Sequence, residues 1–385
     1  METLENVKKP KKILIFSLAY YPDFVGGAEI AIKEITDRIS ISEIEFDMIA
    51  ISGGDIKGFE KIGNINVYKV SNTLGIFQKF IYPFSAFFMA IRLHHKNKYD
   101  AVWSMMASYA GFAGFLFKRK NPNIPFILSL QEGENFTRRE GIFNFLFKKI
   151  FKNADRIQVI SKFLEDWARN MDAICPIDIV PNGVDVSLFS HRKSEGELNE
   201  LKNKLNKKPD DIFLITTSRL VPKNAVGDII DSMQYLPENV KFLILGNGYL
   251  EKELKEKVRA LRLENRVNFL GYIPHKEMPQ YLHVSDIFIR PALSEGFGLS
   301  YIEAMASGIP VVTTPVGGII DFLKDGETGL FCEVQNPKGI AQKVEKLIKD
   351  KELSDYIVKN ALAMVKEKYE WDLVAREMKE IILLK

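Results

Sequence analysis

The sequence has little cysteine and no long run of apolar residues. Its 385 residues include two cysteines, Cys175 and Cys332, and no CxxC pattern. This excludes a disulfide framework and a zinc-ribbon type of metal site, and it fits a reducing compartment. The most apolar stretch, residues 81–91, is too short for a membrane-spanning helix, which needs about 20 apolar residues. We therefore predict a cytoplasmic protein without a transmembrane segment.

An excess of charge of one sign is also missing. There are 53 Lys and Arg residues against 50 Asp and Glu, which gives a formal net charge of +3. A nucleic-acid-binding protein usually shows a concentrated basic surface, so we expect no nucleic-acid partner. The sequence contains no Asp-x-Asp motif. Its length exceeds that of one ordinary domain and predicts two.

Short apolar runs alternate with helical patterns along the whole chain. Near-continuous apolar runs are typical of strands covered by helices on both faces, so the pattern predicts parallel sheets in βαβ units. A first series of runs lies at residues 13–17, 46–52, 65–70, 101–105, 125–130, 156–161 and 177–181. A second lies at 212–218, 240–246, 266–271, 286–291, 309–314 and 328–333. The prediction is an α/β protein with two Rossmann-like domains.

The two series are separated by a charged stretch. We expect a first domain at 1–190, a linker at 191–211 and a second domain at 212–368. A C-terminal helix at about 369–385 is expected to pack back on the first domain. In open α/β sheets, ligands bind beyond the carboxyl ends of the strands. The loops that follow the strands are therefore where functional residues are expected, with a crevice between the two domains.

The strongest functional signal is the segment EGFGLSYIE, residues 295–303. Glu295 follows a predicted strand, and Gly296 and Gly298 permit a tight turn before a helix of about 299–307. The helix N-terminus offers free N–H groups to an anion, and Glu303 lies within two turns of it. Two carboxylates beside an anion site suit a ligand that carries both phosphate and hydroxyl groups. A surface position for Glu303 is the alternative.

Two further strand ends carry residues suited to phosphate. Arg219 and Lys223 lie in SRLVPKN, between the first strand of the second domain and a predicted helix. Arginine offers a planar fork and lysine a point charge to phosphate oxygens. In the first domain, Gly26 and Gly27 precede a helix and allow a ligand to approach the backbone closely. Solvated surface cations and an ordinary turn are the alternatives.

Taken together, these segments resemble the retaining glycosyltransferases of the GT-B class, family 4 (glycosyltransferase group 1). The motifs keep the family's order over nearly the whole chain. The matching segments are YPDFVGGAE (21–29), VISKF (159–163), IVPNGVDVSLF (179–189), SRLVPKN (218–224), LILGNG (243–248), VNFLGYIP (267–274), RPALSEGFGLSYIEAMASGIPVVTTPVGG (290–318) and DGETGLF (325–331). The Glu-x7-Glu element is the most specific among them.

The resemblance implies roles for matching positions. Arg219 and Lys223 would neutralise the leaving diphosphate, where other enzymes use a metal ion. Glu295 would hold the transferred sugar and Glu303 the ribose hydroxyls. The resemblance further implies donor-site positions at Gly26, Gly27, Gly246, Asn247, Tyr272, Ile273, Gly296, Phe297, Gly298 and Leu299. The resemblance also implies a nucleoside-diphosphate sugar as substrate, transfer by front-face retention, and no metal or cofactor. The absence of Asp-x-Asp agrees with metal independence.

One departure from the family concerns a histidine near the reacting sugar. Where many members carry it, after the strand at 125–130, this chain has Gln131 and Glu132. Acceptor contacts are expected here, from Gln131, Glu132, Glu134, Asn135 and Arg138. The departure keeps open an inactive, nucleotide-sugar-binding relative. A sugar-nucleotide 2-epimerase on the same fold is the other alternative, although it has no need of an acceptor surface.

The expected acceptor domain is rich in aromatic and basic residues. In residues 138–152, apolar residues recur at helical spacing among lysines and arginines. Such a helix can lie in a membrane interface, and the alternative is a helix that packs on the sheet with a cationic outer edge. We expect a glycan or lipid-linked acceptor in cell-envelope or polysaccharide biosynthesis, at the inner face of the membrane. The sequence leaves the donor base open among UDP, GDP and ADP.

Overall fold

The computed structural model describes residues 9–24, 26–52, 58–70, 78–132 and 142–384. It divides the chain into two compact units, each an α/β fold. The first unit comprises Met1–Asn182 together with Trp371–Lys385, and the second comprises Gly183–Glu370.

The first unit is built on an eight-stranded sheet in the order β3-β4-β2-β1-β5-β6-β7-β8. All neighbouring pairs are parallel except β3 and β4. The strands are β1 Lys11–Phe16, β2 Ile44–Ile51, β3 Glu60–Ile62, β4 Ile65–Val70, β5 Ala101–Met105, β6 Phe126–Leu130, β7 Arg156–Val159 and β8 Ile177–Ile179. The helices between them are α1 Gly27–Asp37, α2 Gln78–Asn97, α3 Tyr109–Lys120, α4 Ile142–Asn153 and α5 Lys162–Asn170.

The second unit contains a six-stranded parallel sheet in the order β11-β10-β9-β12-β13-β14. The strands are β9 Ile212–Thr217, β10 Val240–Leu245, β11 Val267–Gly271, β12 Ile287–Arg290, β13 Val311–Thr313 and β14 Leu330–Phe331. Its helices are α6 Val186–Ser190, α7 Glu195–Lys204, α8 Val226–Ser232, α9 Glu251–Ala260, α10 Met278–His283, α11 Leu299–Ala306, α12 Pro337–Lys349 and α13 Lys351–Lys368. The last helix of the chain, α14 Trp371–Ile382, belongs to the first unit and packs on α1.

The two series of apolar runs predict two α/β domains with parallel sheets, and the structure has two such units. Each predicted run contains a strand, because a strand covered on both faces is apolar along its whole length. The short strand β3 was not predicted, since EKI at residues 60–62 is mostly polar and pairs only at the sheet edge with β4. Edge strands need few apolar residues, so they leave a weak signal in the sequence.

The expected linker at 191–211 is placed differently by the structure. It contains α7 and lies in the second unit, whose first residue is Gly183. Ser194 caps this helix by accepting a hydrogen bond from the Glu197 N–H at 3.3 Å, and Glu197 accepts one from the Ser194 N–H at 3.1 Å. This capping box explains how so charged a segment is helical. Buried Leu198 and Leu201 hold α7 against its unit.

Of the helices that the structure describes, none is long and apolar enough to cross a membrane.

Candidate functional site

The loops after β9, β10 and β11 in the second unit are joined by backbone hydrogen bonds. The Leu220 N–H donates to the Asn247 carbonyl at 2.9 Å, and the Gly246 N–H donates to the Gly271 carbonyl at 2.7 Å. All three loops leave the carboxyl ends of parallel strands, so they form one edge of the sheet. Together with the loop after β12 and the helix α11 that follows it, this edge holds most of the positions that the sequence predicts for the sugar-nucleotide.

Glycine is required where the loops after β9 and β10 meet. Gly246 has φ of +130°, and a Cβ there would lie 2.0 Å from the Ser218 carbonyl oxygen. A Cβ at Gly248 would lie 2.4 Å from the Leu220 carbonyl oxygen. Only a residue without a side chain permits this approach. The neighbouring Asn247 and Tyr272, both predicted as donor-site positions, are exposed, and Ile273 is half-buried.

Lys223 and Glu295 are brought together at this edge. The Lys223 carbonyl accepts a hydrogen bond from the Leu293 N–H at 2.7 Å, which ties the 3-10 turn Pro222–Asn224 to the loop after β12. The Lys223 side chain is half-buried, and its charge acts on the Glu295 carboxyl. The Arg219 side chain is exposed, whereas its carbonyl accepts a hydrogen bond from Asn224 Nδ2 at 2.7 Å.

Glu295 is a buried carboxylate, and its surroundings favour the ionised form. Burial by itself would raise its pKa, but the charges of Arg290 and Lys223 and the N–H groups of Gly296 and Phe297 lower the pKa below its ordinary value. One carboxylate oxygen accepts the Gly296 N–H at 3.0 Å, and the other accepts from Arg290. An ionised carboxylate can accept hydrogen bonds from sugar hydroxyls.

The turn that carries Glu295 is fixed by glycines on both sides. The Gly318 N–H donates to the Glu295 carbonyl at 3.0 Å, and Gly317 approaches the same carbonyl with φ of +55°. Gly298 is the N-cap of α11, with φ of +100° and no side-chain cap, and the Tyr301 N–H donates to its carbonyl at 3.1 Å. A helix N-terminus of this kind favours an anion. Phe297 is buried and packs against the rings of Phe322 and Tyr369, 5.2 and 5.7 Å between centroids, which anchors the turn in its unit.

Glu303 is buried and paired with a histidine. Its residue exposure is 6%, which rules out the surface position that the sequence left open. His275 Nε2 lies 2.8 Å from Glu303 Oε1. His275 follows β11 in the same loop as Tyr272 and Ile273, and its ring packs edge-on against Phe189, 5.3 Å between centroids. Sequence reasoning missed His275, because the pair is separated by 28 residues and only the fold brings them together.

The predicted residues of the first unit lie after β1 and β6. Gly26 is the extended residue before α1, and Gly27 is the first residue of that helix. Gln131 and Asn182 exchange two amide hydrogen bonds of 3.0 Å each, which join the ends of β6 and β8. Glu132 is buried and accepts the Ala107 N–H at 2.6 Å.

The remaining acceptor positions, Glu134, Asn135 and Arg138, lie outside the described residues. Among the described residues, no cluster of three or more His, Cys, Asp or Glu side chains is arranged to hold a metal ion.

Two family models match the chain, one in each half. The model of glycosyltransferase family 4 matches residues 25–188, and that of glycosyl transferases group 1 matches residues 198–364. The chain is a group 1, family 4 glycosyltransferase. The second match covers the loops that hold Lys223, Glu295 and Glu303, and the first covers Gln131 and Glu132.

Individual relatives agree with this assignment. An uncharacterized glycosyltransferase of Methanocaldococcus jannaschii is 27% identical over 95% of this chain and 96% of its own. A capsular polysaccharide biosynthesis glycosyltransferase of Staphylococcus aureus is 32% identical over 48% of this chain and 49% of its own. The structure of Anabaena HepE in complex with UDP and glucose superposes with a TM-score of 0.82 at 19% identity, over 97% of this chain and all of that one (100%). This likeness shows the fold, so the predicted GT-B fold is confirmed.

Proposed function

We propose that this glycosyltransferase moves a sugar, with retention, from a nucleoside-diphosphate sugar to a hydroxyl acceptor without a metal ion. The observation that carries the proposal is the placement of Lys223 beside a buried, ionised Glu295 at the start of α11. A cation and a helix N-terminus suit a leaving diphosphate, and the carboxylate suits the hydroxyls of the transferred sugar. Arg219 would add a second cation, and buried Glu303 would accept the ribose hydroxyls.

The proposed chemistry needs no protein nucleophile. The acceptor hydroxyl attacks the anomeric carbon on the face from which the diphosphate leaves, and a diphosphate oxygen takes the hydroxyl proton. Lys223 and Arg219 stabilise the negative charge that grows on the diphosphate in the transition state. Glu295 and Glu303 then act as binding residues, unlike the carboxylate pair of a glycosidase.

We further propose a glycan or lipid-linked acceptor of cell-envelope or polysaccharide biosynthesis, reached at the inner face of the cell membrane. The capsular relative supports the pathway class, and two helices of the first unit support the membrane. On α2, Phe84 and Phe88 have exposed fractions of 51% and 69%. On α4, Phe145 and Leu146 are exposed and Lys149 lies over the Phe145 ring, 4.3 Å from its centroid.

The inner side of α4 packs in the ordinary way, because Phe147, Ile150 and Phe151 are buried. Lys148 and Lys152 pair with Asp172 at 3.2 and 3.3 Å. The inner side of the helix therefore packs within its unit, against α3 and Trp167, and the helix still presents an apolar and cationic outer edge. Vesicle binding, described in the Discussion, tests whether the first unit meets a membrane.

The function is tested with a thermal-shift panel of UDP, GDP, ADP and their sugars, followed by turnover measurements in EDTA. A ligand at a hundredfold excess over its Kd stabilises the native state by about 2.7 kcal/mol. We expect one nucleotide series to raise the Tm, and slow hydrolysis of its sugar to persist in EDTA. Lys223→Ala should lower turnover about 100-fold or more, as loss of one stabilising group commonly does.

The matched control for Lys223→Ala is Lys349→Ala, which removes an exposed lysine paired with Glu345 at the end of α12. It should leave turnover unchanged. Binding of a nucleotide sugar without any turnover would indicate the inactive, nucleotide-binding alternative. No thermal shift with any of the nucleotides would contradict the proposal altogether.

A further inference from the structure

Arg290, the last residue of β12, is a buried cation at the centre of the candidate sugar-nucleotide site. Its residue exposure is 8%. An unpaired charge in such a place would be strongly destabilising, so a buried guanidinium is retained only with good partners. Its pKa is raised above the ordinary value because Glu295 and the neighbouring Tyr301 and Glu303 outweigh the effect of burial, which would lower it.

The partners of Arg290 come from three separate segments of the site. Its Nη1 donates to Ser300 Oγ in the first turn of α11 at 2.8 Å. Its Nη2 donates to Asn224 Oδ1 at 2.8 Å and also to the Glu295 carboxylate. One guanidinium thus connects the turn that carries Lys223, the loop that carries Glu295 and the start of α11.

Contacts with Tyr301 and Thr313 hold Arg290 in one orientation. It lies over the Tyr301 ring, 5.2 Å from the centroid. The Arg290 carbonyl accepts hydrogen bonds from the Tyr301 hydroxyl at 3.0 Å and from Thr313 Oγ1 at 2.9 Å. A planar fork fixed in this way is ordered before any ligand binds.

We propose that Arg290 is a positioning residue for sugar recognition. It keeps Glu295 ionised in a buried place and aims its carboxylate, so that the carboxylate can accept hydrogen bonds from the hydroxyls of the transferred sugar. The inference rests on the proposed role of Glu295 in the transfer reaction. A structural role alone would predict loss of stability on substitution, without any link to the ionisation of Glu295 or to the sugar.

The first arm of the test uses no ligand. The depressed pKa of Glu295 stabilises the fold above the pKa of the unfolded chain, and this stabilisation is lost as the pH falls through the folded-state pKa. In Arg290→Met, burial without the guanidinium should raise the pKa of Glu295. As the pH falls and this carboxyl becomes protonated, the variant should regain stability relative to the wild type. The Tm gap between wild type and Arg290→Met should therefore shrink between pH 7 and pH 4.

The control for this arm is the same comparison in the Glu295→Gln background, where the gap should not depend on pH. A gap that is constant with pH in both backgrounds would overturn the proposal. Arg290→Lys keeps a charge without the fork and should restore most of the pH dependence of the wild type. It also provides a readout if Arg290→Met does not fold.

The second arm measures the Kd of UDP and of UDP-glucose by calorimetry. Arg290→Met should weaken UDP-glucose binding about tenfold more than UDP binding, the size of one hydrogen bond to a charged group. Equal weakening of both would overturn the role in sugar recognition. If the wild type binds neither probe, the calorimetry is repeated with the nucleotide and the nucleotide sugar that raise the Tm in the thermal-shift panel. The pH arm uses no ligand and still decides whether Arg290 controls the ionisation of Glu295.

Discussion

At the scale of single residues, the pair of His275 and Glu303 allows the ribose contact to be tested. His275 Nε2 holds one oxygen of the Glu303 carboxylate at 2.8 Å. The other oxygen is the one that we expect to accept the ribose hydroxyls. His275→Ala should release the carboxylate and weaken nucleotide binding about fivefold, within the range for one lost hydrogen bond near 1 kcal/mol. Glu303→Gln should weaken it by at least as much.

Calorimetry with the nucleoside diphosphate that gives the largest thermal shift measures these effects, and its 2′,3′-dideoxy analogue is the control ligand. The analogue lacks the hydroxyls, so neither substitution should change its affinity. If both ligands lose affinity equally, Glu303 does not contact the ribose.

The residues of this site show which contacts can be predicted from the sequence and which cannot. Glu295 and Glu303 stand in one short, ordered motif, so their placement around the start of α11 could be predicted from local spacing. Arg290 ends an apolar strand and has Asn224 as a partner 66 residues away. His275 meets Glu303 across 28 residues. Such contacts depend on how strands β9, β11 and β12 are ordered in the sheet, which local patterns do not specify.

At the scale of elements, membrane contact can be tested most directly on helix α2. Phe84 and Phe88 are one helical turn apart and exposed, and Arg92 and Lys96 continue the exposed face toward the end of the helix. Apolar insertion and attraction to anionic lipid act together in interfacial helices, with about 1 kcal/mol from each basic residue near the surface. We expect the protein to sediment with phosphatidylglycerol vesicles at low salt and to bind phosphatidylcholine vesicles poorly.

The double substitution Phe84→Ser and Phe88→Ser should reduce the vesicle-bound fraction several-fold. The matched control is Ile174→Ser, because Ile174 is another apolar side chain of the first unit, 80% exposed, outside α2 and α4. Equal losses in the two variants, or no binding by the wild type, would refute the membrane proposal and leave a soluble acceptor.

Strands could be predicted from the sequence where helices cover both faces of the sheet, and helices where the residues that begin and end them are adjacent in sequence. Helix α11 begins after Gly298 and ends at Ala306, before Gly308 with φ of +73°, close to the predicted 299–307. The helix predicted after SRLVPKN is α8, but local patterns did not predict the 3-10 turn Pro222–Asn224 before it or the break at Ala225, which adopts φ of +50°. That break turns Asn224 inward to Arg290, a tertiary contact with no local signal.

At the scale of the whole molecule, elements from the early and the late parts of the sequence belong to one unit. Helix α14 buries Trp371, Val374, Met378, Ile381 and Ile382, together with Ala375, although β1 and α14 are the first and last elements in sequence. Burial of these side chains contributes on the order of 10 kcal/mol as an upper estimate, at about 2 kcal/mol for each large one. The second unit, by contrast, is continuous in sequence from Gly183 to Glu370.

This asymmetry predicts the outcome of ending the chain at Glu370. Loss of α14 should expose α1 and lower hydrogen-exchange protection in α1 and β2, because stability is local to the unit that loses its buried surface. Protection of β9 and β10 should stay as in the full chain, and a nucleotide should still protect the loops that follow them. Asp372→Ala is the control, since the exposed ion pair with Arg38 at 2.9 Å contributes little. Unchanged protection of α1 in the shortened chain would show that α14 does not stabilise the first unit.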